Sequence, residues 1–410
     1  MLIFSIVAIF LVAFYGGLIV YYHRAWDSMP LYVPAVAHDM TGGSGGPAGE
    51  AGKVRITVLV PARNEEVNIG HCLTSLEGQT YPKEWWEVIV IDDHSTDGTA
   101  GIVKAAASGD KAVRSGDGKT TELRLRYLSL AERNDGSTLR AHKKRAIEAG
   151  VQEAKGELIV TTDADCVFHP DWLKTIAAFY KEKGAKLIAA PVRIGGAMSG
   201  SARLLTIFQT LDFIVLQGIT GAAVSKRVMS MCNGANLIYE KKAFFEVGGF
   251  SGIDAIPSGD DMLLMHKIYQ RYPEGIFFLK NRQVVVSTRP EERWGDFIHQ
   301  RVRWASKADR YDDTRIFWVL LLVYLVNVLF AVLLVAAFWN LWWLWVLLVL
   351  LVVKTIVEYP FVGSVAGFFG QRRLMVYFPF LQPMHIIYTI VIGWLGRFGH
   401  YRWKDRKIAV

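Results

Sequence analysis

Hydrophobic residues run unbroken at the two ends of the chain and come in short, interrupted runs between them. Residues 1–22 carry no charge and, as a helix, reach across a bilayer core of about 30 Å. Residues 316–353 are also uncharged and suffice for two spans joined near Trp339 and Asn340. A further apolar segment, 374–396, contains Pro379 and Pro383, which predict a kinked or re-entrant path. In the middle, 56–60, 87–91, 123–128 and 158–162 have the β-branched, apolar character of strands. Residues 67–76, 99–107 and 140–154 have helical spacing. Strand and helix in alternation predict an α/β fold with a mostly parallel sheet covered on both faces.

This pattern divides the chain into an N-terminal transmembrane anchor (1–24), a Gly-rich linker (25–53) and an α/β domain (54–292). An interfacial helix (293–315), C-terminal transmembrane or re-entrant segments (316–396) and a basic tail (397–410) follow. The polar stretch 105–122 reads as a surface loop.

Composition fits the division. Of the 410 residues, 52% are hydrophobic, too many for an ordinary soluble domain. Trp339, Trp342, Trp343 and Trp345 have the clustering of a membrane-interface belt. No charged region precedes the first apolar segment and no small-residue cleavage site follows it, so a retained anchor is expected rather than a signal peptide. His23 and Arg24 follow it directly, which places the cytoplasm on that side and implies a bacterial-type cell (inner) membrane. Cys72, Cys166 and Cys232 are few and widely spaced, which excludes a disulfide framework and a cysteine metal site and fits a reducing compartment.

The net charge of +8 is concentrated in the tail, where Arg397, Arg402, Lys404, Arg406 and Lys407 face only Asp405. Beside an apolar segment, such a cluster points to membrane lipids and not to nucleic acid. Three C-terminal spans would leave this tail outside, against the positive-inside rule, so one of those segments is expected to be re-entrant or interfacial.

The candidate chemistry sits at the strand ends. The first strand leads into Pro61-Ala62-Arg63-Asn64-Glu65, the next into Asp92-Asp93-His94-Ser95-Thr96-Asp97-Gly98, and the fourth into Asp163-Ala164-Asp165. In a parallel sheet these ends share one edge, where ligands bind. An unpaired buried carboxylate is costly, so Asp163 and Asp165 must be exposed, paired or bound to a cation. Two carboxylates completed by substrate phosphates are the usual holder of Mg2+ or Mn2+, and a departing diphosphate needs that charge neutralised. Each cluster alone also reads as turn or cap chemistry, with Ser95 or Asp97 capping the helix that follows. Asp260-Asp261 likewise reads as a helix N-cap.

The strings VLVPARNEE, VIVIDDHSTDGT, KKRAIEAG, TTDADC, NGANLIYEKKAFFEVGGF, SGDD and QRVRW occur in the order found in family 2 glycosyltransferases, and the chain resembles that family from about 54 to 307. QRVRW is similar to the Q-x-x-R-W signature of its membrane-embedded members, which include ceramide glucosyltransferases and processive polysaccharide synthases. The resemblance implies a GT-A nucleotide-sugar-binding domain and inverting, hexosyltransferase-type chemistry. It implies that Pro61, Arg63 and Glu65 line the nucleotide-binding loop, that Asp92 and Asp93 contact the nucleoside, and that Lys143 lies near the diphosphate. Asp163 and Asp165 match the metal-binding pair, Asp163 also facing the donor, and Asp261 matches the catalytic base. Relatives often have Thr-Glu where this chain has Gly259-Asp260, which leaves the base open between Asp260 and Asp261. Gln300, Arg303 and Trp304 match the segment that closes on diphosphate and acceptor. The alternative reading of that segment is an interfacial helix carrying Arg293, Arg301, Arg303 and Lys307.

Together these readings predict transfer of one sugar from a nucleotide diphosphate sugar, UDP-linked, to a membrane-embedded lipid acceptor, with a glycan acceptor next in line. Residues 203–226 are apolar enough to line a lipid-facing cleft. A processive synthase is the alternative reading, and a non-catalytic membrane scaffold a further one. No protein partner is legible.

Overall fold

The computed structural model describes residues 2–34, 53–108, 124–132, 141–195, 203–253, 256, 259–307, 313–403 and 406–409. Most of the expected linker, and most of the expected loop over 105–122, lie outside these residues. The first helix, α1 (Leu2–Ser28), precedes an alternating series: β1 (Ile56–Ala62), α2 (Ile69–Glu77), β2 (Trp86–Asp92), α3 (Thr99–Ala107) and β3 (Leu125–Ser129). Next come α4 (His142–Glu153), β4 (Leu158–Thr161), α5 (Trp172–Lys183), β5 (Leu187–Ala189) and β6 (Val192–Ile194). After the long α6 (Arg203–Ser225) follow β7 (Leu237–Glu240), α7 (Lys241–Glu246), α8 (Met262–Arg271), β8 (Ile276–Phe278) and β9 (Val286–Thr288). The chain closes with α9 (Trp294–Ala305), α10 (Thr314–Ala336), α11 (Trp342–Phe368), α12 (Phe378–Phe398), β10 (His400–Trp403) and β11 (Arg406–Ala409).

Two compact units result. One holds residues 30–195 and 227–289, the other 1–29, 196–226 and 290–410. The first is built on a seven-stranded sheet in the order β3-β2-β1-β4-β7-β5-β8. β1 to β4 are parallel neighbours, and β7 runs antiparallel to both β4 and β5. Every residue of β2 and β4 is buried, as expected of strands covered on both faces. Close helix-on-sheet packing needs glycine at one point: a Cβ on Gly150 of α4 would lie 2.9 Å from Leu59 and 3.0 Å from Ile91.

The second unit is helical. Among the described residues five helices are long and apolar enough to cross a membrane, and all belong to this unit: α1, α6, α10, α11 and α12. α6 lies within the 54–292 expected for the sheet domain, yet it packs with the helical unit. Its central window is 83% buried, against 22–28% for the other four. It is therefore enclosed by its neighbours rather than turned to lipid as a cleft wall. The reason is its polar content: Gln209, Asp212 and Gln217 are all buried and need protein partners. Most of the apolar segment expected over 374–396 is helical. A short turn, Arg372–Val376, leads into one continuous α12. Pro379 falls in its first turn, where a missing N–H costs nothing, and Pro383 lies one turn further on.

Asn236 stitches the sheet unit together. Fully buried, it accepts from the Trp172 indole (3.2 Å) and donates to the carbonyls of Pro191 (2.9 Å) and Val284 (2.8 Å). Asn236→Ala is expected to cost about 1–3 kcal/mol for each buried group left unpaired, read as a lower midpoint of thermal unfolding. Asn233→Ala, which removes one local bond to Ala235 N, is the milder comparison.

Candidate active site

The register of the sheet brings the strand ends level. Ala62 pairs with Asp92, Asp92 with Ser129, and Leu59 with Thr161. Antiparallel β7 starts at the same edge, Leu237 opposite Thr161, after the turn Gly234–Asn236. The acids of three separate segments therefore meet because parallel strands end together and one antiparallel strand begins there.

On one side the loops after β1 and β2 are laced together. Asn64 N–H donates to Ser95 Oγ (3.0 Å), and Asn64 Oδ1 accepts from Thr96 N–H (2.9 Å). Glu65 N–H donates to Thr99 Oγ1 (2.7 Å), while its carboxylate accepts from Asn68 Nδ2 (2.9 Å). Asn64 and His94 adopt left-handed backbone angles, φ 52° and 59°, so both loops turn sharply. Neither expected residue is the N-cap of α3, which is Gly98; Asp97, just before it, accepts from Thr99 N–H at 3.0 Å and Thr99 Oγ1 at 2.6 Å. Those bonds and one from Glu66 N–H outweigh burial and hold Asp97 below the usual carboxylate range.

Asp92 is buried, accepting from Ser95 N–H (2.9 Å) and the Tyr127 hydroxyl (2.7 Å). Burial, and then Asp92, push the Tyr127 hydroxyl up to about 12. Asp93 Oδ1 lies 3.0 Å from His94 Nδ1 and 3.7 Å from His142 Nδ1. The Asp93 carbonyl accepts from Arg63 Nη1 at 2.8 Å, which fixes that guanidinium beside partly buried Pro61 at the end of β1.

On the other side Lys143, from α4, sits between two acids, 2.7 Å from Asp163 Oδ1 and 3.6 Å from Asp260 Oδ2. Burial opposes its charge, but Asp163, Asp260 and Asp261 outweigh it and raise the ammonium above its ordinary range. Asp261 caps α8: Oδ1 accepts from Met262 N–H (2.7 Å) and Oδ2 from Gly234 N–H (3.1 Å). Gly234 lies among the side chains of Lys143, Asp260 and Asp261. A Cβ there would meet Asp260 Oδ2 at 3.3 Å and Lys143 Nζ at 3.4 Å.

Asp165 accepts from Thr288 Oγ1 at 2.6 Å, and burial, then the like charge of Asp163, raise its carboxyl above the usual range. Behind the pair lie Cys72 and Cys166, both buried; burial, then Asp165 and Asp163, push both thiols up, which keeps them protonated and inert. Among the described residues no group of three or more His, Cys, Asp or Glu is placed to hold a metal ion. Two hard carboxylate donors short of a closed shell fit Mg2+ or Mn2+ completed by phosphate oxygens and water.

Gln300, Arg303 and Trp304 lie on α9 of the helical unit. Gln300 Nε2 donates to Glu291 Oε1 at 2.8 Å. The interfacial-helix reading counts Arg301 among its basic residues, whereas the structure pairs it inside the protein. It is buried at 2% exposure, paired with Asp212 of α6 at 3.0 Å and stacked over the Trp304 ring at 4.1 Å. Gly234, Tyr127 and Thr288 join the site without a distinguishing signal of their own in the sequence. Gly234 lies inside the quoted NGAN string, whereas Thr288 carries no local signal because its partner is remote in sequence.

The family model described as glycosyl transferase family 2 matches residues 57–248, and that described as glycosyl transferase family group 2 matches 158–394. Glycosyltransferase AglE of Haloferax volcanii is 26% identical over 252 residues, 60% of this chain and 71% of that protein. The probable glycosyltransferase YdaM of Bacillus subtilis is 24% identical over 258 residues, 61% of this chain but 54% of that relative's length. Among solved structures, the mannosyltransferase PcManGT from Pyrobaculum calidifontis, in complex with GDP-Man and Mn2+, matches with a TM-score of 0.57 at 19% identity. That match covers 95% of this chain and 99% of the other, and it is a likeness of fold.

Asp212→Ala leaves Arg301 buried without its counter-charge and is expected to destabilise the helical unit by about 3–5 kcal/mol. The double replacement Asp212→Leu with Arg301→Met removes both charges and is expected to cost less. Thermal unfolding of the detergent-solubilised variants distinguishes the two.

Proposed function

This chain belongs to glycosyltransferase family 2, and we propose that it moves a single sugar, with inversion, from a nucleotide diphosphate sugar to a lipid acceptor held in the membrane. The observation that carries the reading is the cluster of Asp163, Asp260 and Asp261 around Lys143, with Asp165 beside Asp163, at one edge of a GT-A sheet. The donor is UDP-linked in this reading, and the lipid acceptor rests on the apolar helices of the chain's other unit.

Inversion is an in-line displacement: the acceptor oxygen bonds to the anomeric carbon as the bond to the β-phosphate breaks. The acceptor proton must leave as that bond forms, which requires a base opposite the leaving group. We assign Asp261 to this role, its carboxylate oriented by two backbone N–H groups. Asp260 serves as a second counter-charge to Lys143. Asp163 and Asp165 would hold Mg2+ or Mn2+, which supplies charge neutralisation for the departing diphosphate. Lys143 takes a phosphate oxygen with its ammonium, Pro61, Arg63, Glu65, Asp92 and Asp93 bind the nucleoside, and Gln300, Arg303 and Trp304 keep the role their motif implies. His23 and Arg24 after the first span, and three free thiols, support a cytoplasmic sheet unit in a bacterial-type cell membrane. The domain limits read from sequence stand in the same proposal, with 203–225 assigned to the membrane part.

The test is incubation of the solubilised full chain with a panel of nucleotide sugars, Mg2+ or Mn2+ and a total lipid extract. Nucleoside diphosphate release and product mass are read together. A lipid heavier by one sugar supports the proposal, whereas a ladder of products, or no product with every donor, overturns it. Asp165→Ala, or chelation of the metal with EDTA, is expected to abolish metal-dependent donor binding by calorimetry. Asp261→Asn is expected to leave donor affinity unchanged and to slow transfer by about 10²–10⁴-fold. If Asp260→Asn shows that split instead, the base is Asp260.

A further inference from the structure

The helical unit carries a groove that nothing in the proposed reaction uses. It has a volume of about 560 Å³ and runs along the last turns of α11 to the turn before α12, lined by Tyr359, Gly363, Gly367, Arg372, Arg373 and Val376 among others. Small residues keep it open. A Cβ on Gly367 would meet nothing within 4 Å, and one on Gly363 only the Met375 methyl at 3.9 Å. The surface around it is apolar and exposed: Ile356 64%, Tyr359 43%, Val376 67% and Phe380 80%.

Its mouth is cationic. Arg372 and Arg373 are exposed side by side, and neither has a hydrogen bond or ion pair among the described residues. The nearby acid is already engaged: Asp27 at the end of α1 accepts from Ser364 Oγ (2.5 Å) and pairs with His23 (3.0 Å). Position along α11 fixes the depth. Trp339, Trp342 and Trp345, 81%, 57% and 63% exposed, mark one membrane interface where α11 begins. A helix of 27 residues then rises about 40 Å, which sets its far end, and the two arginines, in the opposite headgroup layer.

We propose that this groove binds one anionic phospholipid, an acyl chain along Gly363 and Gly367 and the headgroup phosphate on Arg372 and Arg373. Guanidinium pairs with phosphate through two parallel donors, and a planar charge without a protein acid beside it is free to do so. Charge complementarity selects the occupant: a zwitterionic lipid offers the arginines a phosphate already matched by its own cation.

Native mass spectrometry of the full chain in detergent tests this with phosphatidylglycerol and phosphatidylcholine of identical acyl chains. One retained phosphatidylglycerol is expected, with phosphatidylcholine held at least about tenfold more weakly. Arg372→Gln with Arg373→Gln is expected to weaken phosphatidylglycerol by a similar factor, and excess inorganic phosphate is expected not to displace the lipid. Equal retention of the two lipids, or unchanged binding by the double variant, overturns the proposal. So does preferential capture of a polyprenyl phosphate, which would make the groove a site for a different lipid. Should the double variant not be recovered folded, Gly367→Leu fills the groove with both charges kept. Undiminished phosphatidylglycerol binding by that variant overturns the proposal equally.

Discussion

Mutual repulsion among carboxylates at one edge of the sheet governs the site. Asp163, Asp165, Asp260 and Asp261 are brought together there, and without a cation such a group would drive the strand ends apart or take up protons. Lys143 is the protein's own answer, 2.7 Å from one acid and 3.6 Å from another. It cannot satisfy all of them. Asp165 is held by a hydroxyl, and its carboxyl is raised in consequence of burial and of its neighbour. The site thus keeps an excess of negative charge, which in the proposed reaction a cation and the donor diphosphate would complete, and β1, β4, α4 and the Gly234 turn hold that excess in place.

The helical unit handles buried charge by the opposite means, pairing it inside the protein. Lys354 of α11 bonds Glu358 one turn on (2.7 Å) and Gln382 of α12 (2.7 Å), and Glu358 also accepts from Tyr15 of α1. Arg301 and Asp212 form a second buried pair that ties α9 to α6. Charged side chains in an apolar environment are tolerated only when paired, and once paired they fix which helices are neighbours. The same requirement explains why α6, apolar enough to cross a membrane, is enclosed by protein.

What the sequence determined by itself was local. Alternating apolar runs located β1, β2, β3 and β4 to within a few residues, because a strand buried on both faces leaves an unmistakable run of β-branched residues. Long uncharged segments located α1, α10 and α11 for a similar reason. The acidic dipeptides at strand ends were legible because parallel strands must end at one edge, and the ordered motif strings gave the family. Tertiary structure alone decided the rest. Nothing near position 288 marks Thr288 as the partner of Asp165, since a single hydroxyl bond between remote segments leaves no pattern. Arg301 looks in sequence like any basic residue ahead of a span; its burial depends on an aspartate about ninety residues earlier on another helix. Hydropathy averages over a helix and marks α6 only as apolar enough for a lipid-facing cleft, whereas its burial follows from which neighbours its few polar side chains find.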